Sequence, residues 1–295
     1  MTLDLINLDE LKRFDYLKIF SLAEKASNNK YNDKLLKNKN IGLIFENLST
    51  RTRLSFHSAI FKLGGNPIEI NFSNLNLNKF ESFMDTIQMF DCYLDAIVYR
   101  TTEHKKLVFT KKYFLKPLIN ALSEKIHPCQ TLTDLFTIYQ HFGNLNLEIS
   151  WFGDINNVLY GLIDSTKVFK NIKINIFSSK KIIEKNKFLS SYKNINLHSN
   201  FDYEVIKRSK VIMTDVFISM NDKHSKEKEK SLVRFQVNKK IMDLTSQNAV
   251  FMHCLPAAIG KEVTEDVIRG PKSITIRQAK NRMFVQMGLL EWLNI

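Results

Sequence analysis

Residues 148–177, EISWFGDINNVLYGLIDSTKVFKNIKINIF, contain two short apolar runs separated by a helical pattern. The runs Glu148–Phe152 and Lys173–Phe177 are short and rich in Ile and Phe, which favours buried strands. Residues Asn157–Phe169 between them have the apolar spacing of a helix. A strand, a helix and a second strand in succession predict a parallel sheet of the α/β class.

The same alternation extends over the rest of the chain. The other predicted strands are Ile41–Glu46, Pro67–Ile70, Ala96–Arg100, Pro117–Asn120, Lys210–Thr214, Ala249–His253 and Ser273–Ile276. The other clear helical patterns are Arg53–Leu63, Leu132–Phe142 and Ala279–Leu293. A chain of 295 residues suits two domains of about 150 residues each. We therefore predict two doubly wound parallel-sheet domains, 1–143 and 144–277, with a C-terminal helix at 278–295 that returns to the first domain.

The composition excludes several classes of protein. Hydrophobic residues make up 44% and charged residues 25% of the chain, which is ordinary for a globular protein and excludes a disordered or fibrous one. No apolar run approaches the ~18 residues of a membrane helix. The first residues lack the basic and apolar regions of a secretory signal, and the three cysteines are too far apart for a disulfide framework. These features predict a cytoplasmic protein.

The formal net charge of +13 fits either a nucleic-acid partner or lysines spread over a solvated surface. Only nine of the 43 basic residues are arginine, and the sequence has no zinc-finger spacing, basic heptad segment or aromatic RNA-binding signature. We therefore predict neither a nucleic-acid partner nor a membrane partner. The charged stretch Asn221–Ser231 is predicted to be a mobile surface loop.

Residues 49–53, Ser-Thr-Arg-Thr-Arg, follow the predicted strand Ile41–Glu46 and open a helix. A helix N-terminus has free N–H groups and a positive dipole end, so hydroxyl and Arg side chains there make a phosphate site. The alternative is a capped helix with two surface arginines. Two of only nine arginines within five residues favour the phosphate site. With Arg51 and Arg53, two further arginines, Arg100 at a strand end and Arg282 in the last helix, are candidates for one anionic site.

Two more motifs follow predicted strands at their carboxyl ends, where α/β proteins bind ligands. In His127-Pro128-Cys129-Gln130, the imidazole suits a carbonyl oxygen and Gln130 suits an amide, while a histidine that caps a helix is the alternative. In Thr214–Met220, the Asp215 carboxylate suits an ammonium group, while a helix cap is the alternative.

A third motif, His253-Cys254-Leu255-Pro256, ends another predicted strand. Its thiol is a candidate nucleophile, metal ligand or buried core group. No second Cys or His lies at metal-ligand spacing, and the chain has neither GxGxxG nor GxxxxGK[ST]. We therefore predict no metal and no nucleotide cofactor of those types.

Taken in this order, the motifs resemble the aspartate/ornithine carbamoyltransferase family over about residues 40–290. STRTR resembles the family's carbamoyl-phosphate loop and HPCQ its carbamoyl-recognition turn. HPCQ, TDVFISM and HCLP resemble the members that use ornithine rather than those that use aspartate. The resemblance implies transfer of the carbamoyl group of carbamoyl phosphate to the δ-amine of ornithine, giving citrulline and phosphate in arginine biosynthesis. It also implies a homotrimer that needs no cofactor.

The resemblance further implies roles for single residues. Carbamoyl phosphate is expected to be bound by Ser49, Thr50, Arg51, Thr52, Arg100, His127, Gln130, Cys254, Leu255 and Arg282. Ornithine is expected to be bound by Asn157, Asp215, Ser219 and Met220. The expected catalytic residues are Arg100, His127, Asp215 and Cys254.

Four segments depart from the family pattern. The usual QLGRGE is NLNKFE at 76–81, HCLPAHRG is HCLPAAIG at 253–260, SMG is SMN at 219–221, and DEAENR is RQAKNR at 277–282. The first segment contributes to a neighbour's site in family trimers, so the resemblance does not extend to the cross-subunit contacts of this chain. Two other functions also stay open: transfer to another amine, such as putrescine or an acylated ornithine, and a catalytically weak paralogue that acts as a binding partner.

Overall fold

The computed structural model describes residues 3–75, 77, 81–218 and 226–295. By compactness the chain divides into two units, Met1–Phe136 with Lys280–Ile295, and Thr137–Ala279. Both divisions fall inside helices, Pro128–Phe142 and Thr275–Trp292. In the described residues, no helix is both long and apolar enough to cross a membrane.

The first unit is built on a four-stranded parallel sheet in the order β2-β1-β3-β4. Its strands are β1 (Asn40–Phe45), β2 (Asn66–Asn71), β3 (Ala96–Arg100) and β4 (Leu118–Leu122). Its helices are α1 (Arg13–Ser27), α2 (Arg51–Lys62), α3 (Phe83–Tyr93) and α4 (His104–Tyr113), and α5 (Pro128–Phe142) begins in it. Strand β3 is buried along its whole length, as expected for an apolar central strand of a parallel sheet.

The second unit contains a five-stranded parallel sheet in the order β7-β6-β5-β8-β9. Its strands are β5 (Glu148–Phe152), β6 (Lys173–Phe177), β7 (Ile195–His198), β8 (Val211–Thr214) and β9 (Val250–His253). Its helices are α6 (Asn157–Ser165), α7 (Lys180–Lys185), α8 (Tyr203–Arg208), α9 (Lys226–Leu232), α10 (Lys239–Leu244) and α11 (Glu265–Ile268). Helix α12 (Thr275–Trp292) begins in this unit and belongs to the first unit from Lys280 onward. Short 3₁₀ turns lie at Phe72–Asn74, Lys187–Ser191 and Val233–Phe235.

In both sheets the strand order reverses at a central pair of strands, β1 and β3 in the first and β5 and β8 in the second. Reversal of this kind opens a crevice at the carboxyl ends of the two strands, because their following segments leave in opposite directions. The arrangement confirms the predicted α/β class with two parallel sheets. It also defines, in each unit, the place where functional side chains are expected.

The C-terminal helix α12 packs against α1 in the first unit, as predicted. A Cβ atom on Gly288 would lie 2.7 Å from the carbonyl oxygen of Ile19 and 2.8 Å from the backbone nitrogen of Ala23. A glycine is therefore required for the two helix backbones to approach this closely. One turn later, Trp292 Nε1 donates to Asp15 Oδ1 at 3.3 Å.

Two predictions about elements are wrong. Ser273–Ile276 is not a strand, because Ser273 forms only an isolated bridge to Phe251 and α12 begins at Thr275. The stretch predicted as a loop at 221–231 forms helix α9 from Lys226 onward, and Lys228 Nζ in it donates to Asp154 Oδ2 at 2.7 Å. Residues 221–225 of that stretch lie outside the described residues.

Candidate active site

The carboxyl ends of β1 and β3 bring the Ser49–Thr52 segment to Arg100. Arg100 is the last residue of β3 and is 8% exposed, and its Nη1 donates to Ser49 Oγ at 3.2 Å. Helix α2 begins at Arg51, and the Thr50 side chain makes no capping hydrogen bond to it. The first N–H groups of α2 are therefore not capped by Thr50, which favours an anion site over the capped helix.

Arg282 and Arg53, two other arginines of the predicted anionic cluster, have different partners. The guanidinium of Arg282 donates to Gln130 Oε1, and Gln130 Nε2 donates to Asp134 Oδ1 at 2.6 Å, with all three residues buried. Arg53 instead forms an ion pair with Glu69 at 3.7 Å, with both side chains about half exposed. The prediction of a role for Arg53 in the anionic cluster is thus not supported by its contacts.

His127 lies between β4 and α5 and is 5% exposed. Burial lowers the pKa of His127 well below its ordinary value, and the positive charges of Arg282 and Arg100 lower it further. The imidazole is therefore neutral at neutral pH. Its Nδ1 atom is buried and has no hydrogen-bond partner among the residues that the structure describes. A neutral ring with one uncommitted nitrogen suits a hydrogen bond to a ligand oxygen.

In the second unit, the carboxyl ends of β5, β8 and β9 surround the Asp215 carboxylate. Asp215 follows β8 and is 8% exposed. Asn156, which follows β5, donates through Nδ2 to Asp215 Oδ2 at 2.7 Å. Cys254, which follows β9, donates through Sγ to Asp215 Oδ1 at 3.1 Å. Asp215 therefore does not cap a helix among the described residues; it pairs with a thiol and an amide.

A buried His–Glu pair supports the loop that carries Cys254. His253 Nδ1 accepts the Leu255 N–H at 2.9 Å, and Leu255 has a left-handed backbone with φ of 59°. This bond helps to hold a conformation that is strained for a residue other than glycine. His253 Nε2 lies 3.3 Å from Glu262 Oε1, which also accepts the Ala258 N–H.

Three potential metal ligands meet at this point. The nearest ligand atoms of Asp215, His253 and Cys254 all lie within 4.8 Å of one another, and zinc accepts all three ligand types. However, His253 Nδ1 already accepts the Leu255 N–H, and Nε2 faces Glu262. The donor set is therefore better described as a thiol–carboxylate pair with a supporting imidazole than as a metal centre.

Some of the predicted positions lie outside the described residues. Ser219 and Met220 lie outside the described residues, as do residues 76 and 78–80 of the divergent segment 76–81. Asn157 is the first residue of α6, directly after Asn156. Asn156, not Asn157, makes the described bond to Asp215.

The two halves of the chain match two family models. Residues 3–140 match the aspartate/ornithine carbamoyltransferase carbamoyl-P binding domain. Residues 145–293 match the Asp/Orn binding domain of the same family. The chain belongs to the aspartate/ornithine carbamoyltransferase family.

Relatives of this carbamoyltransferase in sequence and in structure cover nearly its full length. It is 37% identical to an ornithine carbamoyltransferase of Methanocaldococcus jannaschii over 98% of each chain. Its fold matches the ornithine carbamoyltransferase of Thermus thermophilus with a TM-score of 0.90 at 29% identity, over 99% of each chain. It matches that of Pyrococcus furiosus with a TM-score of 0.86 at 33% identity, over 97% of this chain and 95% of the other.

Three polar residues in the side-chain clusters described above were not predicted from the sequence. Asn156 caps α6 through Oδ1, and its residue type before a helical pattern is a signal for that role. Asp134 lies four residues after Gln130 on α5, a spacing that places two side chains on one helix face. Glu262 has no local signal, because its partner His253 lies on another element.

Proposed function

We propose that this chain transfers the carbamoyl group of carbamoyl phosphate to the δ-amine of L-ornithine and releases L-citrulline and phosphate. The observation that carries the proposal is the nearly buried Asp215 carboxylate, paired with the Cys254 thiol at 3.1 Å inside the matched Asp/Orn binding domain. A carboxylate has about four lone-pair sites, and the described bonds occupy two of them. The remaining sites suit the ammonium group of an amino acid.

Carbamoyl phosphate is bound by the first unit in this proposal. Its phosphate lies at the N-terminus of α2 and is held by Ser49, Thr50, Arg51 and Thr52 and by Arg100. The support is the bond between Arg100 and Ser49 and the absence of a Thr50 cap on α2. Gln130, Arg282 and Leu255 complete the predicted contacts to the carbamoyl group.

His127 and Arg100 stabilise the developing oxyanion. The unprotonated amine attacks the carbonyl carbon, and the carbonyl oxygen gains negative charge. The bond from that carbon to the bridging phosphate oxygen then breaks as the carbonyl re-forms, and the proton lost by the attacking nitrogen passes to the departing phosphate. A neutral His127 donates a hydrogen bond to that oxygen, and the low pKa of His127 keeps the ring in this form. Loss of one such donor typically costs roughly 10²–10³ in rate. Neither a metal nor an organic cofactor is required by this chemistry.

The amine must be unprotonated to attack, although an ordinary alkylamine has a pKa near 10. Asp215 and Cys254 orient the amino acid and its reacting nitrogen, together with Asn157 and with Ser219 and Met220. In this proposal the residues of the two sites hold the two substrates in position to react, and this positioning supplies much of the remaining rate.

We also propose a homotrimer. The segment that precedes α2 and the surface of α2 itself carry the exposed apolar side chains Leu48, Leu54 and Phe61, which favour a covered surface. Light scattering is expected to give three times the 34.5 kDa mass of one chain. A monomer at working concentration would contradict the assembly, and the activity assay below tests the reaction separately.

The activity is tested with a colorimetric citrulline assay on a panel of acceptors. Carbamoyl phosphate is supplied with ornithine, putrescine, acetylornithine, succinylornithine or aspartate, and a protein-free blank corrects for its spontaneous breakdown. Turnover on ornithine is expected. Turnover on another acceptor alone would move the function to that amine, and no turnover by a folded chain that still binds carbamoyl phosphate would favour a binding paralogue.

A further inference from the structure

A buried carboxylate lies at the end of β1, outside the set of residues assigned to substrate. The Glu46 side chain is 8% exposed and accepts three donors. Tyr99 Oη donates to Oε1 at 2.6 Å, Thr101 Oγ1 donates to Oε2 at 2.9 Å, and Lys106 Nζ donates to Oε1 at 3.1 Å. Burial and the Glu46 carboxylate raise the pKa of Tyr99, so its hydroxyl keeps its proton and remains a donor.

These contacts involve the residues directly before and directly after Arg100. Tyr99 and Thr101 are its two neighbours in the chain, and the Glu46 N–H donates to the Arg100 carbonyl oxygen at 3.1 Å. Glu46, the residue directly after β1, therefore holds the carbonyl of Arg100 and the side chains before and after it. Such a set of bonds fixes the orientation of the Arg100 peptide.

The opposite side of β3 offers Arg100 less regular support. The pairing of β3 with β4 shifts register between Tyr99 and Arg100, since Tyr99 pairs with Asn120 and Arg100 with Leu122. Irregularities of this kind redirect a side chain and interrupt the ladder. On the β1 side, by contrast, Arg100 pairs in regular register with Phe45, and Glu46 adds its side-chain contacts there.

We infer that Glu46 is a positioning residue that holds Arg100 so that its guanidinium faces Ser49 at the start of α2. The inference rests on the proposed role of Arg100 in binding carbamoyl phosphate. It predicts the direction in which carbamoyl-phosphate binding changes when Glu46 is replaced. A carboxylate near an anion site repels the anion, so loss of its charge alone would tighten carbamoyl-phosphate binding. Loss of its positioning contacts would weaken that binding instead.

Glu46→Gln removes the charge and turns one of the two acceptor atoms into a donor. We expect kcat/KM for carbamoyl phosphate to fall roughly 10- to 100-fold, as for an ångström-scale displacement of a binding group. The KM for ornithine is expected to stay unchanged, and inhibition by inorganic phosphate is expected to weaken in parallel. An unchanged or higher kcat/KM for carbamoyl phosphate would overturn the inference.

Glu148→Gln is the matched control. Glu148 begins β5, at the end of the sheet opposite to the strand-end residues, and accepts from Asn175 Nδ2 at 3.1 Å and from Arg208 Nε at 2.8 Å. Its loss is expected to lower the melting temperature without changing either KM. If Glu148→Gln changes the kinetics as Glu46→Gln does, the effect is one of stability and the inference fails.

Tyr99→Phe keeps the inference testable if Glu46→Gln does not fold. It removes one donor to Glu46 and is expected to raise the KM for carbamoyl phosphate, by a smaller factor than Glu46→Gln.

A wild-type chain without turnover on ornithine would instead refute the proposed function. In that case, calorimetric titration of the wild-type chain and of Glu46→Gln with inorganic phosphate still decides the inference. Weaker phosphate binding by Glu46→Gln supports it, and equal or tighter binding refutes it.

Discussion

Replacement of Asp215 by asparagine tests the proposed amino-acid site most directly. In the structure, Oδ2 accepts from Asn156 at 2.7 Å and Oδ1 accepts from the Cys254 thiol at 3.1 Å. An asparagine keeps the size of the side chain but places an N–H₂ group against one of these two donors. It also removes the negative charge that the proposed ornithine ammonium requires.

The size of the effect follows from the burial of the carboxylate. Because Asp215 is 8% exposed, solvent screens its bond to an ammonium group only weakly. A hydrogen bond to a charged group contributes about 1.5–3 kcal/mol, which corresponds to a roughly 10- to 160-fold loss of kcat/KM for ornithine. Disruption of the bonds to Asn156 and Cys254 is expected to destabilise the fold as well, by about 1–3 kcal/mol.

Initial rates, measured with ornithine varied at saturating carbamoyl phosphate, give kcat/KM for ornithine. Urea unfolding gives the change in the stability of the fold. Asp202→Asn is the control, since Asp202 caps α8 through the Val205 N–H at 3.1 Å and asparagine caps equally well. A chain with Asp215→Asn that is less stable but has unchanged kcat/KM for ornithine would refute the substrate role of Asp215 and leave it a structural residue.

Three other predictions address the buried groups. Because the pKa of His127 is lowered in the fold, the unfolded chain binds a proton below about pH 6.5 that the folded chain does not, so stability falls as the pH drops below that value. Urea unfolding of His127→Gln is expected to show a shallower decline, and an equal slope would contradict the burial of the ring. Burial raises the pKa of the Cys129 thiol to about 12, so a thiol reagent at about pH 8 is expected to modify Cys92 and Cys254 and to spare Cys129. Peptide mass mapping checks this, and labelling of Cys129 in the folded chain would contradict it. Gly288→Ala is expected to destabilise the chain by about 1–3 kcal/mol through overpacking, and an unchanged melting temperature would refute the close helix contact.

The elements that the sequence predicts well are the buried ones. Lys173–Phe177 and Ala96–Arg100 match their strands at both ends, because an apolar run in a parallel sheet has few alternatives. Ser273–Ile276 is equally apolar in pattern, but only Ser273 bridges to β9 before α12 begins at Thr275. The missed strand β7 is half polar and lies at the sheet edge, where the hydrophobic signal is weak.

Residues of the candidate site were predictable where the residue type and its position at the end of a strand were a sufficient signal. Asp215 and Arg100 follow this rule. Their partners were not predictable in the same way, because Asn156 is 59 residues from Asp215 and Glu46 is 53 residues from Tyr99. Contacts of this kind depend on which strands become neighbours, and the strand order is not encoded locally.

The membership of Lys280–Ile295 in the first unit has a consequence for biosynthesis. Domains usually fold in the order of their synthesis, the N-terminal one first. Here the first unit lacks the helix that packs on α1 until residues 137–279 have been made, roughly 7–30 s later at about 5–20 residues per second. The second unit is thus the one that can fold first on the ribosome. A chain that stops short of Gly288 leaves the first unit, not the second, with an uncovered face on α1.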